Sequence, residues 1–478
     1  MLADTLVMDH PTPVADLVSE LVRRARAAQR LYETYTQAQV DEVTTAAGWA
    51  IMHPEHNRTL AEMAVRDTGF GNVEDKVIKN HRKTLGLLRD LKSARTVGVI
   101  AEYPERGVVE IARPVGVVAA ITPSTNPAAT PANKIINALK TRNAVIVAPS
   151  PKGVGTCAAL VAYIHAELEK VGAPKDPVQY LPAPITKQAT QELMRQADLI
   201  VATGSQNNIR AAYASGTPAF GVGAGNVASI IDVSADPGNA ARQIAASKTF
   251  DNATSCSSEN SVVIVDAVYA AALSALVEAG GVLLDDEEKA QLQRTMWSHG
   301  KLDAAVTAQS AGNIAALAGL RRAGMAQAKF LMVEETGIGL DYPFSGEKLS
   351  PVLTVYRARD FDHACEIVSS LYAHQGAGHS VGIHGNDDAH ILRLGLELPV
   401  SRVIVNQAHC FATGGSFDNG LPFSLSMGCG TWGGNNFSDN MSYRQYLNIT
   451  RIARRIPENM PGQEEIFGEY LRRHGERS

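Results

Sequence analysis

The sequence predicts an α/β protein of two doubly wound domains with a β-hairpin arm, and three observations carry that expectation. Strand and helix patterns alternate three times between residues 117 and 215, a second α/β segment begins near 233, and a β-rich stretch ahead of both turns on "PERG". Alternation of this kind builds a parallel sheet covered by helices on both faces, and ligands of such sheets gather at the carboxyl ends of the strands.

Residues 14–95 read as helices, because Leu17, Leu21 and Val22, and later Leu60, Met63 and Ala64, recur at helical spacing with charged residues between them. "RDTGFG" supplies a glycine stop. Residues 96–121, TVGVIAEYPERGVVEIARPVGVVAAI, read as a hairpin turning at Pro104-Glu105-Arg106-Gly107 and leading into a buried strand. Residues 96–113, with part of 435–478, are expected to form an oligomerisation arm reaching a neighbouring subunit.

Three units follow: VGVVAAI, the loop TPSTNPAAT and the helix PANKIINALKT; AVIVAP and the helix GVGTCAALVAYIHAELEKVG; DLIVAT, Gly204-Ser205 and the helix QNNIRAAYASG. The strand-end loops 122–130, 148–153 and 203–206 are therefore the ones placed to hold a ligand. Residues 1–95 and 114–232 are expected to form a nucleotide-binding domain, and 233–434 a catalytic domain. The latter reads as helix PGNAARQIAASKTF, strand SVVIVD, helices through 267–325, strands near 330 and 353, and a glycine-rich end. Its Ala-rich stretch 267–284 reads as a packed helix and turn, and the ending RRHGERS as a solvated tail.

With 478 residues, 45% hydrophobic and 19% charged, the chain is long enough for real cores without metal or disulfide staples. Forty-four basic residues against 49 acidic ones give a net charge of -5, which signals no nucleic-acid or membrane surface. Five scattered cysteines (157, 256, 365, 410 and 429), without a C-x-x-C pair, argue against a disulfide framework or zinc module and fit a reducing cytosol. Charges and prolines break MLADTLVMDHPTPVADLVSEL before an apolar stretch of signal-peptide length appears, and no apolar run approaches the roughly 18 residues of a membrane span. A cytoplasmic protein is expected.

"TFDNATSCSSENSVVIVD" sets Cys256 in a polar turn ahead of a β-forming run. Structural cysteines sit among apolar neighbours, whereas reactive ones sit where a thiolate is stabilised; this stretch alone leaves both readings open. "FGVGAGN" fails as a dinucleotide fingerprint because a strand follows it. Gly204-Ser205 is a better anion site, lying between a strand and a helix, and is equally readable as a plain N-cap. His374, His379 and His384 recur every five residues without a carboxylate, which argues against a metal site. His379 reads either as a proton carrier or as a histidine satisfying a turn.

Taken together, "FDNATSCSSEN", "TPSTNP", "ATGS", "GVGAGN", "GAGHS" and "GCGTWGGN" resemble the aldehyde dehydrogenase superfamily, in particular its coenzyme-A-acylating branch, over about residues 60–460. The resemblance implies an aldehyde dehydrogenase-like fold in which Cys256 is the nucleophile. Asn126 and the Cys256 amide would donate to the oxyanion, and His379 would assist deprotonation of the coenzyme A thiol. Glu347 would contact the nicotinamide ribose, while Thr122, Pro149, Ser150, Gly204 and Ser205 border the nucleotide. The implied cofactor is NAD or NADP, with coenzyme A as co-substrate and no metal. A thiolate adds to the aldehyde carbonyl, the oxyanion needs preorganised donors, and its collapse expels hydride and leaves a thioester.

Hydrolytic relatives start "E-L-G-G-K" with a water-activating glutamate, where this chain has Gly221-Val222-Gly223-Ala224-Gly225. Without that base, attack by water is slow and a thiol is the better acceptor; a non-acylating enzyme with another base is the alternative. Ala148 replaces the lysine that holds the adenosine ribose, so NAD versus NADP stays open, and Lys152 either meets a 2′-phosphate or is a surface lysine. The ending SDNMSYRQYLNITRIARR is similar to that of enzymes acting on sulfoacetaldehyde, with acetaldehyde and succinate semialdehyde as alternatives. Arg444 or Arg451 either pairs with an anionic substrate group or lies at the surface or an interface. A homodimer or homotetramer is expected.

Overall fold

The computed structural model describes residues 14–223, 225–298 and 300–475. Most of the N-terminal stretch read for a signal, Ala224 and the last three residues of the expected tail thus lie outside the described residues. Four helices open the chain: α1 (Val14–Tyr32), α2 (Gln37–Met52), α3 (Pro54–Thr68) and α4 (Val73–Leu91). α3 stops at Gly69, which adopts the left-handed conformation that lacks a steric cost only for glycine. The Asn72 side chain caps α4 by accepting from the Asp75 amide.

The first sheet is fully parallel, in the order β5-β4-β3-β6-β7: β3 (Val117–Ile121), β4 (Ala144–Ala148), β5 (Val178–Tyr180), β6 (Leu199–Thr203) and β7 (Ala219–Val222). Every residue of β3 and β4 is buried, the signature of strands covered on both faces. Val118, Ala120, Val145 and Val147 pack into one core with α2, α5 (Ala129–Lys140) and α6 (Val154–Lys170). Their alternates Val117, Ala119, Ile121 and Ile146 pack into another with α1, α7 (Lys187–Gln196) and α8 (Gln206–Ala214), as the two-residue side-chain period requires. α5 begins at Ala129, so the end of the expected loop TPSTNPAAT is already helical. The chain moves from β3 outward to β5 and then back to β6, which leaves a crevice at the carboxyl ends of β3 and β6.

The second sheet is parallel in the order β10-β11-β12-β9-β8-β13-β14: β8 (Val227–Ile231), β9 (Glu259–Val265), β10 (Gly281–Leu283), β11 (Phe330–Glu334), β12 (Val352–Ala358), β13 (Val381–His384) and β14 (Val403–Val405). β8 lies here, not in the first sheet, so the crossing between sheets falls between β7 and β8 and not at the expected residue 232. Register decides it: β8 pairs with both β9 and β13. The stretch 267–284 folds as the helix Tyr269–Glu278 followed by the short edge strand β10, where only a helix and turn were expected.

β1 (Gly98–Tyr103) and β2 (Val108–Pro114) form the expected hairpin, which a third strand, β15 (Leu447–Ala453), extends by antiparallel pairing with β2. The described part of RRHGERS is exposed to solvent, as expected, but helical: Arg472–His474 close the helix Gln463–His474. No described helix is long and apolar enough to cross a membrane. Cys256, Gly225 and His379 all lie just ahead of strands, β9, β8 and β13, which are neighbours in the second sheet.

Candidate active site

A cleft of about 600 Å³ opens at the carboxyl ends of the first sheet, lined by Thr122, Pro149, Ser150, Gly204 and Ser205 among others. Five of the six residues expected at the nucleotide are thus brought together. The Thr122 hydroxyl is buried with no partner, an unmet polar group facing that cleft. Ser205 also caps α8, its Oγ accepting from the Asn208 amide, which is the plain N-cap reading of Gly204-Ser205. Thr186, Lys187 and Thr190 of the α7 start complete the wall. They escaped sequence reasoning because nothing in "ITKQAT" marks a ligand.

The segment before Cys256 is strained. Asp251, Asn252 and Ala253 adopt φ of 50°, 52° and 56° in succession, a conformation costing L-residues of order 1–3 kcal/mol each. Two lysines of α4 hold this turn. Lys76 Nζ and Lys79 Nζ both donate to Asp251 Oδ2, at 3.1 and 2.5 Å, and the Asn72 amide donates to Asp251 Oδ1 at 3.0 Å. Burial alone would raise the Asp251 carboxyl, but the two ammonium groups override it and hold it below the usual carboxylate range. The same lysines reach the loop after β3: Lys76 donates to the Thr125 carbonyl at 3.2 Å and Lys79 to Asn126 Oδ1 at 2.9 Å.

Cys256 Sγ lies 3.5 Å from His379 Nε2. Burial, then the nearby Glu347 and Cys429, push the thiol up to about 12. Burial, then the Arg402 guanidinium, push His379 down to about 3. The resting pair is therefore a neutral thiol and a neutral imidazole. His379 Nδ1 is 2.7 Å from Ser380 Oγ, which is 2.8 Å from His409 Nε2. When Nε2 accepts from the thiol, Nδ1–H donates to Ser380 and the Ser380 proton goes to His409. Arg402 anchors the loop, donating to the His379 carbonyl at 3.1 Å and the Gly428 carbonyl at 3.0 Å.

Glu347, expected at the nicotinamide ribose, stands outside the cleft lining and beside the cysteine. Its Oε1 accepts from the Gly225 amide at 3.2 Å, and burial pushes its carboxyl up to about 8. A Cβ on Gly225 would stand 2.4 Å from the Cys256 carbonyl oxygen, so no side chain fits there. A Cβ on Gly221 would meet α8, 2.7 Å from Ile209 Cγ2 and 3.1 Å from the Tyr213 ring. Lys152 is exposed and stacks over Phe70. Arg451 pairs with Glu110 on the arm and Arg444 is exposed, so neither lies at the cysteine. Among the described residues no cluster of histidine, cysteine, aspartate or glutamate is arranged to hold a metal.

The model of the aldehyde dehydrogenase family matches residues 3–295, more than half of the chain. The chain belongs to the aldehyde dehydrogenase family. It is 67% identical over 461 residues to the sulfoacetaldehyde dehydrogenase (acylating) of Cupriavidus necator, covering 96% of this chain and 94% of that one. It is 40% identical over 453 residues to the succinate-semialdehyde dehydrogenase (acetylating) of Clostridium kluyveri, covering 94% and 99%. The solved acetylating aldehyde dehydrogenase of Geobacillus thermoglucosidasius superposes with a TM-score of 0.90 at 37% identity, covering 94% of this chain and 98% of that one. In this aldehyde dehydrogenase the lysine pair of α4, Ser380, His409 and Arg402 surround the expected residues and were not foreseen; Ser380 adjoins His379 in the chain, whereas the lysines, His409 and Arg402 are distant in sequence from the groups they touch.

Proposed function

We propose that this aldehyde dehydrogenase is coenzyme-A-acylating and oxidises sulfoacetaldehyde, with NAD+ or NADP+, to the corresponding acyl-coenzyme A. The observation that carries the reading is Cys256 Sγ at 3.5 Å from a neutral imidazole, with glycine at position 221, where hydrolytic relatives carry their water-activating glutamate, and with Glu347, the carboxylate beside the cysteine, pushed up to about 8. The relatives named sulfoacetaldehyde and succinate-semialdehyde dehydrogenase support an anionic aldehyde, the former at the higher identity.

In this reading the Cys256 thiol gives its proton to His379 Nε2 as the sulfur adds to the aldehyde carbon, and the oxyanion rests between Asn126 Nδ2 and the Cys256 amide. Thr122, Pro149, Ser150, Gly204 and Ser205 would hold NAD+ or NADP+, which would supply the acceptor for the hydride that the carbon loses. A thioester remains on Cys256, and His379 releases its proton to solvent. The coenzyme A thiol then gives its proton to His379, its sulfur attacks the thioester carbon, and the departing Cys256 thiolate recovers that proton. Glu347, mostly protonated near pH 7, is a poor base for water. The three-stranded arm supports a homodimer or homotetramer, and we read the protein as cytoplasmic.

A panel of sulfoacetaldehyde, succinate semialdehyde and acetaldehyde, each with both nucleotides and with coenzyme A present or omitted, tests the reading. Reduced nucleotide forms in steady state only with coenzyme A, and fastest with sulfoacetaldehyde. Turnover indifferent to coenzyme A overturns the acylating reading, and a preference for acetaldehyde overturns the substrate alone.

A further inference from the structure

We infer that Lys79 is a positioning residue that aims and polarises the Asn126 amide for the oxyanion, an inference that rests on the acylating dehydrogenase reading above. An ammonium has three protons to give and nothing with which to accept. Lys79 gives all three within the protein: to Asp251 Oδ2 at 2.5 Å, to Asn126 Oδ1 at 2.9 Å and to Thr254 Oγ1 at 3.1 Å. The oxygen of the Asn126 amide is the only end that can face the lysine, so the NH2 end must face the other way. That end is nearly free, with one poor contact to Thr125 Oγ1 at 3.5 Å.

The consequence is electrostatic as well as geometric. Lys79 is buried, so its charge is poorly screened by solvent. A cation on the carbonyl oxygen of an amide draws electron density from its nitrogen and strengthens the N–H as a donor. The same ammonium fixes Asp251 and Thr254, the turn that sets the position of Cys256. Lys79 thereby ties the proposed oxyanion donor on the loop after β3 to the sulfur-bearing segment before β9. Lys76 supports the same two segments through Thr125 and Asp251, but touches no side chain expected in the chemistry.

The test compares Lys79→Met, Asn126→Ala and the double variant in the full-length enzyme. One readout is aldehyde-dependent formation of reduced nucleotide with coenzyme A, and the other is alkylation of Cys256 by iodoacetamide. Alkylation is a displacement at carbon that builds no oxyanion, so it reports the sulfur and its placement alone. The expected result is that Lys79→Met loses about 30-fold or more in kcat with KM for the aldehyde little changed, and that its alkylation rate stays within about 3-fold of the parent. The double variant is expected to fall no further than Asn126→Ala, because an amide that is gone needs no aiming. Lys79→Arg, which keeps charge and donors, regains part of the loss.

If Lys79→Met does not fold, Lys79→Gln keeps a donor for Asn126 without the charge and is expected to lose about 10-fold by the same assay. Turnover within 2-fold of the parent in Lys79→Met or Lys79→Gln overturns the inference. So do multiplicative losses in the double variant, or alkylation falling in step with turnover, which is the mark of a purely structural lysine. If Asn126→Ala itself keeps full activity, the oxyanion assignment fails instead, which separates the two claims.

Discussion

Cys256 Sγ and His379 Nε2 are 3.5 Å apart, yet their proton affinities are pushed in opposite directions, the thiol up to about 12 and the imidazole down to about 3. The resting site therefore stores no ion pair, and the nucleophile is generated only during turnover.

The first prediction follows from the sign of the thiol shift. A thiol raised this far has little thiolate at pH 7, and the fraction grows about tenfold with each unit of pH. Alkylation of Cys256 in the enzyme without ligands should climb steadily from pH 7 to pH 9. A plateau below pH 8 would show a stabilised thiolate and contradict the neutral pair.

Removing the base should have a loss that depends on pH. His379→Gln is expected to lower turnover by about 10²-fold near pH 7. Because thiolate forms unaided as pH rises, the deficit relative to the parent should shrink toward pH 9.5. Steady-state rates of both proteins across that range decide it.

Gly225→Ala should displace Cys256, since the added carbon would stand 2.4 Å from its carbonyl oxygen and 3.2 Å from His379 Cδ2. A misplacement of this size is expected to lower kcat by about 10²-fold. The thermal midpoint and the kcat together show whether the loss is local.

Arg402→Leu should destabilise the fold as well as the site. The buried guanidinium donates to the carbonyls of His379, Gly428 and Ser438 and to Asn440 Oδ1, and its loss leaves four acceptors unmet. A cost of about 3 kcal/mol is expected in urea unfolding, with no change in the slope of the transition.

Much of the architecture was legible because parallel strands covered on both faces read as unbroken apolar runs, as in VGVVAAI and AVIVAP. β10, with three residues, was not; and although part of 435–478 was expected beside the hairpin, nothing in LNITRIA marked β15 as a strand pairing with β2 across more than 330 residues of chain. The same separation hid the lysine cluster. "EDKVIKN" looks like a solvated helix face until Asp251, more than 170 positions later, is folded against it. The polar turn around Cys256 was visible, but not that three residues before it are left-handed, since Asp and Asn tolerate that conformation without announcing it.

The most direct measurement is intact-protein mass spectrometry of the enzyme mixed with sulfoacetaldehyde and oxidised nucleotide, with coenzyme A withheld and then added. The account predicts an acyl adduct on Cys256 that persists for many turnover times and vanishes within one turnover once coenzyme A arrives. An unmodified Cys256, or free acid released at the full turnover rate without coenzyme A, would contradict it.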